Sequence, residues 1–384
     1  MTTTTLAEPT TNGYKPGLEG VVAAETKLSH VDGLKGELII GGYSVEELAA
    51  STSFEETVYL LWHGALPNAE QLATFRRELA SQRNLPAAAT QLIHSLVPYQ
   101  LPVMDVLRIV AGVADIDLIT ADLPTASQEA RGRSLLARLP TIVATYWRLR
   151  NQQSPIAPDP ALGHAANYLY MLTGNRPDAA SVRGLETYLN TVVDHGLNAS
   201  TFAARVIIAT QTDLTSAVVG AIGALKGPLH GGAPGPALEM VFEIGSADRA
   251  EMVIRQKLQR GERLMGFGHR VYKVRDPRAE VLSLAAAKMF QTSGDTQLYL
   301  LAKEVEKVAI RLLEEYKPGR NLQTNVEFYT ALLLHGLGLE TELFTPTFAI
   351  ARAGGWIAHC FEQLETGRLI RPQSRYVGRV VRGA

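Results

Sequence analysis

From about residue 45 onward the chain repeats one pattern, and that pattern narrows the choice of fold more than anything else in it. Apolar residues recur three and four places apart, run after run, with no alternation of strand and helix between them. A chain built this way can only bury its apolar stripes helix against helix, which points to a mainly α fold. "STSFEETVYLLWHG" carries a capping box, Ser53 with Glu56, and closes on Gly64. "PNAEQLATFRRELASQ" offers Asn68 as its cap with Gln71 three residues later. "MDVLRIVAGVADI", "ARGRSLLARLPTIVATYWRLRN", "SVRGLETYLNTVVDHG", "AEVLSLAAAKMFQ" and "LLAKEVEKVAIRLLEEY" continue the series. "TFAARVIIAT" and "TSAVVGAIGALKG" are apolar almost all round, as expected of central helices or of helices at an oligomer interface. Only "KGELIIGGYS" reads as strand, one small hairpin with Gly41 and Gly42 at a turn or bulge. No internal repeat of about 20 to 50 residues is visible.

The length of 384 residues suffices for a large core and suggests two domains. Net charge is −1, so no basic excess argues for nucleic acid or an anionic membrane. The one cysteine, Cys360, excludes an intramolecular disulfide framework, fits a reducing cytosol, and is expected in the core of a helix. No apolar run reaches the roughly 18 residues of a membrane span. The opening "MTTTTLAEPTTNGYKPG" lacks the basic-then-apolar order of a signal peptide and reads as a tail. A cytoplasmic protein is the expectation.

Two stretches break the helical rhythm: "LKGPLHGGAPGP" and "GERLMGFGHRVYKVRDPR". Both are rich in glycine and carry a histidine, the second with several arginines, as loops facing a cleft would. In the first, His230 sits between a glycine turn and a helix start marked by Pro234 and Pro236. A helix N-terminus favours the neutral imidazole, which can donate to a carbonyl; an ordinary turn histidine satisfies the same pattern. In the second, His269 lies among Arg270, Lys273, Arg275 and Arg278, suited to an anionic ligand or simply to a solvated basic loop. Asp194 and His195 form either an oriented donor pair or an ordinary helix end. Arg352 lies in an apolar helix beside Gly354 and Gly355, and Arg371 precedes Pro372 in a tail that either reaches a second subunit or stays at the surface. Glu327, in "TNVEFYTALLLHG", heads an apolar run with no basic residue three or four places away. A carboxylate there needs a partner or a task. The P-loop, HExxH, CxxC, G-x-S-x-G and dinucleotide fingerprints are all missing, which disfavours the enzyme classes that carry them.

"GALKGPLHGGA", "GFGHRVYKVRDPR", "NVEFY", "ARAGGWIAHCFEQ" and "RLIRPQSRYVG", with "GLEGVVAAETKLSHVDG" and "DHGLNASTFAARV", closely resemble citrate synthases over nearly the whole chain after about residue 16. The resemblance implies a large helical domain (17–221 and 331–384, after a tail at 1–16) and a small one (222–330) around a cleft. It implies condensation of acetyl-CoA with oxaloacetate, hydrolysis of citryl-CoA, no cofactor and no metal, the CoA thioester being a substrate. It gives His230, His269 and Glu327 catalytic roles, and His195, Arg278, Arg352 and Arg371 the carboxylates of oxaloacetate. Met265, Gly266, Phe267, Gly268 and Lys273 would contact CoA. It also implies a homodimer of the compact branch, with Arg371 contributed by the partner. The family's usual motif is "NVDFY", so the base here is a glutamate. Gly41, Pro102, Val103, Gly196 and Pro234 also depart from common family residues. A 2-methylcitrate synthase using propionyl-CoA would share every catalytic residue, and a catalytically attenuated dimer that only binds dicarboxylate or CoA is the alternative of a different class.

Overall fold

The structure, a computed structural model, describes residues 14–120, 127–231, 234–269, 271–293 and 296–378. Arg270 of the basic loop, Gly232 and Ala233 of the glycine turn, and most of the expected N-terminal tail lie outside them. Near the start are three short antiparallel strands in the order β1 (Ser29–Asp32), β2 (Glu37–Ile40), β3 (Tyr43–Ser44). The β2–β3 hairpin turns on Gly41 and Gly42, at φ of 57° and 93°, the positive values its tight turn requires. β1 is an addition to the hairpin expected: four residues, "SHVD", are too few and too polar to show an alternating pattern. Asp32 shapes the turn after it, its carboxylate accepting from the amides of Leu34 and Lys35, both at 3.0 Å.

Seventeen α-helices follow among the described residues: α1 (Val45–Ser51), α2 (Phe54–His63), α3 (Ala69–Ser81), α4 (Ala87–Leu96), α5 (Val103–Ala111), α6 (Ile116–Thr120), α7 (Gln128–Arg150), α8 (His164–Thr173), α9 (Ala179–Val192), α10 (Ala199–Ile208), α11 (Leu214–Leu225), α12 (Pro234–Ile244), α13 (Ala250–Gln259), α14 (Pro277–Ser293), α15 (Gln297–Tyr316), α16 (Val326–Gly336) and α17 (Phe344–Thr366). Both capping boxes form, Ser53 with Glu56 and Asn68 with Gln71, and Gly64 closes α2 in the left-handed region. Such caps are worth about 1 kcal/mol each. None of these helices is long and apolar enough to cross a membrane.

α17 is the centre of the larger helical group. Every residue from Ala349 to Cys360 is buried, and α2, α5, α7, α9, α10 and α11 pack around it. Two glycines make that approach possible. A Cβ on Gly354 would stand 2.9 Å from Val58 Cγ2, and one on Gly355 would stand 2.3 Å from the Val193 carbonyl oxygen. Cys360 is core, as expected, and burial pushes its thiol up to about 12. α10 and α11 also meet closely, with no room for a Cβ on Gly220 beside Ile207. They are not enclosed on every side, however: Phe202, Val206, Ile207 and Val219 are only partly buried, and Ser216 and Gly223 are exposed. Around α16 a second group forms, with α14 and α12 against it and α13 packed on α15. α14 also packs on α9, joining the two groups.

The α17 contact predicts an unequal pair of glycine substitutions. Gly355→Ala forces a methyl onto the Val193 carbonyl and is expected to lower unfolding free energy by about 2 kcal/mol or more. Gly64→Ala meets open space and only its positive φ opposes it, at about 1 kcal/mol. Denaturant titration of both variants checks the ranking.

Candidate active site

The loop between α13 and α14 is clamped from two sides. On one side is the β1–β2 turn: Lys273 N donates to the Gly33 carbonyl at 2.8 Å, and an added Cβ at Gly33 would be 2.3 Å from the Val271 oxygen. On the other is the segment entering α16. Gly268 N donates to Gln323 O (2.7 Å), Asn325 N to Gly266 O (3.0 Å) and Asn325 Nδ2 to Gly268 O (2.8 Å). Gly266 and Gly268 adopt φ of 86° and 81°, and a Cβ on Gly266 would meet Phe328 at 2.9 Å. Phe267 is buried with its ring 5.3 Å from that of Phe328, and Met265 packs against the core. Lys273 is exposed, and its carbonyl accepts from Asn321.

His269 leaves this clamp with a fixed tautomer. Its Nδ1 accepts from the amides of Val271 (3.0 Å) and Tyr272 (3.1 Å), so in the neutral ring the proton is on Nε2. Nε2 lies 3.4 Å from a terminal nitrogen of Arg278, which can only donate. Two donor groups therefore lie side by side. Arg278 is buried and held by Asp276, Nε to Oδ1 at 3.0 Å and Nη2 to Oδ2 at 2.8 Å. Asp276 also accepts the amides of Arg278 (3.0 Å) and Val326 (3.3 Å), fixing the first turns of α14 and α16. Tyr272 connects the group: its hydroxyl is 3.1 Å from His195 Nε2, its ring 4.8 Å from that of His269, and the Arg278 guanidinium 5.8 Å from its centre.

Arg352 reaches the site from α17. It is buried, its Nε donates to the Val192 carbonyl at 2.6 Å, and its guanidinium lies 4.8 Å from the Phe348 ring centre. Burial pushes it down to about 10, Arg278 adding to that and Asp194 opposing it. His230 stands on the other side, 6.4 Å from the Phe348 ring. Ser200 brackets its Nε2, the amide at 3.3 Å and the hydroxyl at 2.8 Å. An amide N–H can only donate, so Nε2 accepts and the ring proton sits on Nδ1. Burial, then the nearby arginines, lower all three histidines: His230 and His269 to about 4 and His195 well below its usual value. The site thus combines two fixed cations with three neutral imidazoles, a setting for a compact dianion.

Glu327 lies in the first turn of α16, its amide donating to Asn325 Oδ1 at 3.0 Å. Its Oε2 is buried and meets no hydrogen-bond partner among the described residues. Burial pushes this carboxyl up to about 7, Arg278 pulling against the rise and Asp276 reinforcing it. An acid in an apolar helix, without a partner and with a pKa near neutrality, fits a proton-transfer task better than a structural one.

At two places the structure decides between readings the sequence left open. Asp194 makes no hydrogen bond to the His195 ring among the described residues; it pairs with His359, whose Nε2 is 3.2 Å from Oδ1. The two neighbours point opposite ways at the end of a helix. Arg275 is not free for an anion, since it is held by Glu280 and Glu306, both at 3.0 Å. Arg371, expected to serve the partner's site, is exposed in an irregular segment after α17, with no hydrogen bond or ion pair to the other candidates among the described residues. Tyr272, Asp276 and Ser200 went unremarked in the sequence as site residues. Asp276 was readable only as a turn before Pro277, and Ser200 only as a residue near a helix start.

The profile of the family described as "Citrate synthase, C-terminal domain" matches residues 17–373. A citrate synthase of Haloferax volcanii is 41% identical over 369 residues, 95% of this chain and 96% of that one. A protein of Corynebacterium glutamicum named 2-methylcitrate synthase 2 is 39% identical over 383 residues, 97% of each. Among solved structures, the citrate synthase of Thermoplasma acidophilum, in ternary complex with carboxymethyl coenzyme A and oxaloacetate, superposes with a TM-score of 0.87 at 29% identity, covering 97% of this chain and 98% of that one. With its fold, the order of its motifs and near-complete coverage all in agreement, the chain belongs to the citrate synthase family.

Proposed function

We propose that the chain condenses acetyl-CoA with oxaloacetate and hydrolyses the citryl-CoA formed, with Glu327 as the base. The observation that carries this reading is the buried, unpartnered Oε2 of Glu327 on a carboxyl raised to about 7. The Glu327 carboxylate removes a proton from the methyl carbon beside the thioester. His230 donates from Nδ1 to the thioester oxygen as the enol forms. The enol carbon then attacks the keto carbon of oxaloacetate, the enol O–H proton returns to His230 Nδ1 as the thioester carbonyl reforms, and His269 donates from Nε2 to the keto oxygen, which becomes a hydroxyl. Water finally adds to the thioester carbon and CoA leaves as the thiol. Arg278, Arg352 and His195 hold the carboxylates of oxaloacetate. The main chain of 265–268, opened by its glycines, and Lys273 receive CoA. Residues 222–330 form the small domain, which closes on 17–221 and 331–384 to exclude water. Propionyl-CoA is the second reading, favoured by the relative named for 2-methylcitrate.

The testing experiment is thiol release on mixing the protein with oxaloacetate and either acyl-CoA. Release is expected to be faster with acetyl-CoA; faster release with propionyl-CoA moves the chain to the second reading, and silence with both ends the catalytic one. A base must be ionised, so the rate is expected to fall below pH 7 by about tenfold per unit. Glu327→Gln is expected to lower it at least about a hundredfold with oxaloacetate affinity unchanged.

The same residue makes a stability prediction of opposite sign. A carboxyl whose folded pKa is raised from 4.5 to about 7 costs nothing below pH 4.5, where both states are protonated. The cost grows between those values and is complete above pH 7. Glu327→Gln is expected to stabilise the protein by about 2–3 kcal/mol at pH 8 and by little at pH 4.5, read from unfolding at the two pH values.

Dimerisation supplies a further test. The exposure of Arg371 and the partly uncovered faces of α10 and α11 support a homodimer in which Arg371 enters the partner's site. Arg371→Ala and Glu327→Gln proteins, each inactive alone, are then expected to recover about a quarter of full activity after mixing and subunit exchange, because one site of each mixed dimer is intact. No recovery, with exchange demonstrated, places Arg371 in its own subunit's site, and an Arg371→Ala protein active alone places it outside both.

A further inference from the structure

Beside the candidate site residues runs a second set of buried polar side chains. The Asp194 carboxylate lies 3.2 and 3.3 Å from His359 Nε2. His359 Nδ1 is 2.9 Å from Arg205 Nη1, and a guanidinium only donates, so Nδ1 accepts and the ring proton points from Nε2 at Asp194. Arg205 donates also to Glu362 at 2.6 Å and to Gln363 at 3.1 Å. Asp194, His359 and Arg205 are all buried, and each has its charge or hydrogen-bonding capacity answered by the next. From the other direction comes Ser29 of β1. Its hydroxyl donates to Asp194 Oδ2 at 2.5 Å and accepts the Gly196 amide at 2.8 Å. The residues on either side of His195 are therefore tied to one oxygen.

The spacing along α17 adds to this. Arg352, Gly355 and His359 fall three and four residues apart, on one helix face. They meet three consecutive residues in order: Arg352 donates to the Val192 carbonyl, Gly355 admits the Val193 carbonyl, and His359 takes the Asp194 carboxylate. Arg352 has no carboxylate in ion-pair contact among the described residues. Asp194 supplies its counter-charge from close by, without occupying the terminal donors. A carboxylate bound directly to those donors would compete with an anionic substrate; one held a short way behind does not.

We infer that Asp194, His359 and Arg205, with Ser29, are positioning residues for oxaloacetate: they set the direction in which His195 leaves α9 and the charge balance behind Arg352, and touch no substrate. The inference rests on the dicarboxylate site proposed above. A glutamine amide can donate and accept as the neutral imidazole does, whereas leucine can do neither, and this gives the test.

Three variants are compared by the KM for each substrate, by kcat and by calorimetric oxaloacetate affinity. His359→Leu is expected to weaken oxaloacetate binding and raise its KM about tenfold, with kcat and the acyl-CoA KM within about threefold. His359→Gln is expected to restore most of the loss. Ser29→Ala, which removes one hydroxyl outside the helical core, is expected to raise the oxaloacetate KM about threefold and to decide the matter if the leucine variant does not fold. Unchanged oxaloacetate affinity in a folded His359→Leu or in Ser29→Ala overturns the inference. So does a glutamine variant no better than leucine, or a parallel loss in kcat and both KM values. A wild type that binds oxaloacetate yet turns over neither acyl-CoA instead overturns the condensation reading, and the calorimetric series still tests the positioning.

Discussion

The paired side chains of Asp276 and Arg278 hold the candidate site together. One carboxylate fixes a guanidinium through two hydrogen bonds, caps the start of α14 and takes the first amide of α16. The guanidinium lies beside the His269 donor, and the carboxylate adds to the rise in the Glu327 pKa. Breaking such a buried pair by removing one partner typically costs about 3–5 kcal/mol, because the other charge is stranded. Here the loss would extend further, since cation, donor and acid all take their positions from it.

That arrangement also explains how three histidines serve a site with two arginines. Burial and the fields of Arg278 and Arg352 keep the imidazoles neutral, so each has one proton to offer and one lone pair to anchor. For His269 and His230 the anchor is a backbone amide, which assigns the proton to the opposite nitrogen. Neutral donors of this kind polarise a carbonyl without the desolvation cost of a third and fourth buried cation.

Much of this was legible in the sequence, for local reasons. The caps of α2 and α3 are written within four residues, and the positive-φ turns of the His269 loop show as Gly266 and Gly268. Glu327 stood out because nothing near it in the helix could balance it. What stayed hidden is what depends on distant residues. Asp194 was beside His195 in sequence, but its partner is His359, 165 residues away. Tyr272 carries no signal in its own loop, because its hydroxyl meets His195, 77 residues away. The exposed sides of α10 and α11 could not be told from core sides, since both are equally apolar. Gly41, where the family commonly has arginine, has a local cause visible only in three dimensions: φ of 57° and a Leu60 side chain 2.7 Å from any added Cβ.

The double clamp on the His269 loop has a consequence for how the protein comes to exist. Lys273 is tied to Gly33, some 240 residues earlier, while Gly266 and Gly268 are tied to residues about 55 later. Contacts closed over such long stretches of chain are entropically expensive until the elements between them have formed. Individual helices are local, but the helical groups centred on α17 and α16, and the candidate site with them, close only when those last helices are present. A chain still emerging from synthesis, lacking α16 and α17, has much of its helix content but no assembled site. The candidate site is therefore complete only once the last tertiary contacts have formed.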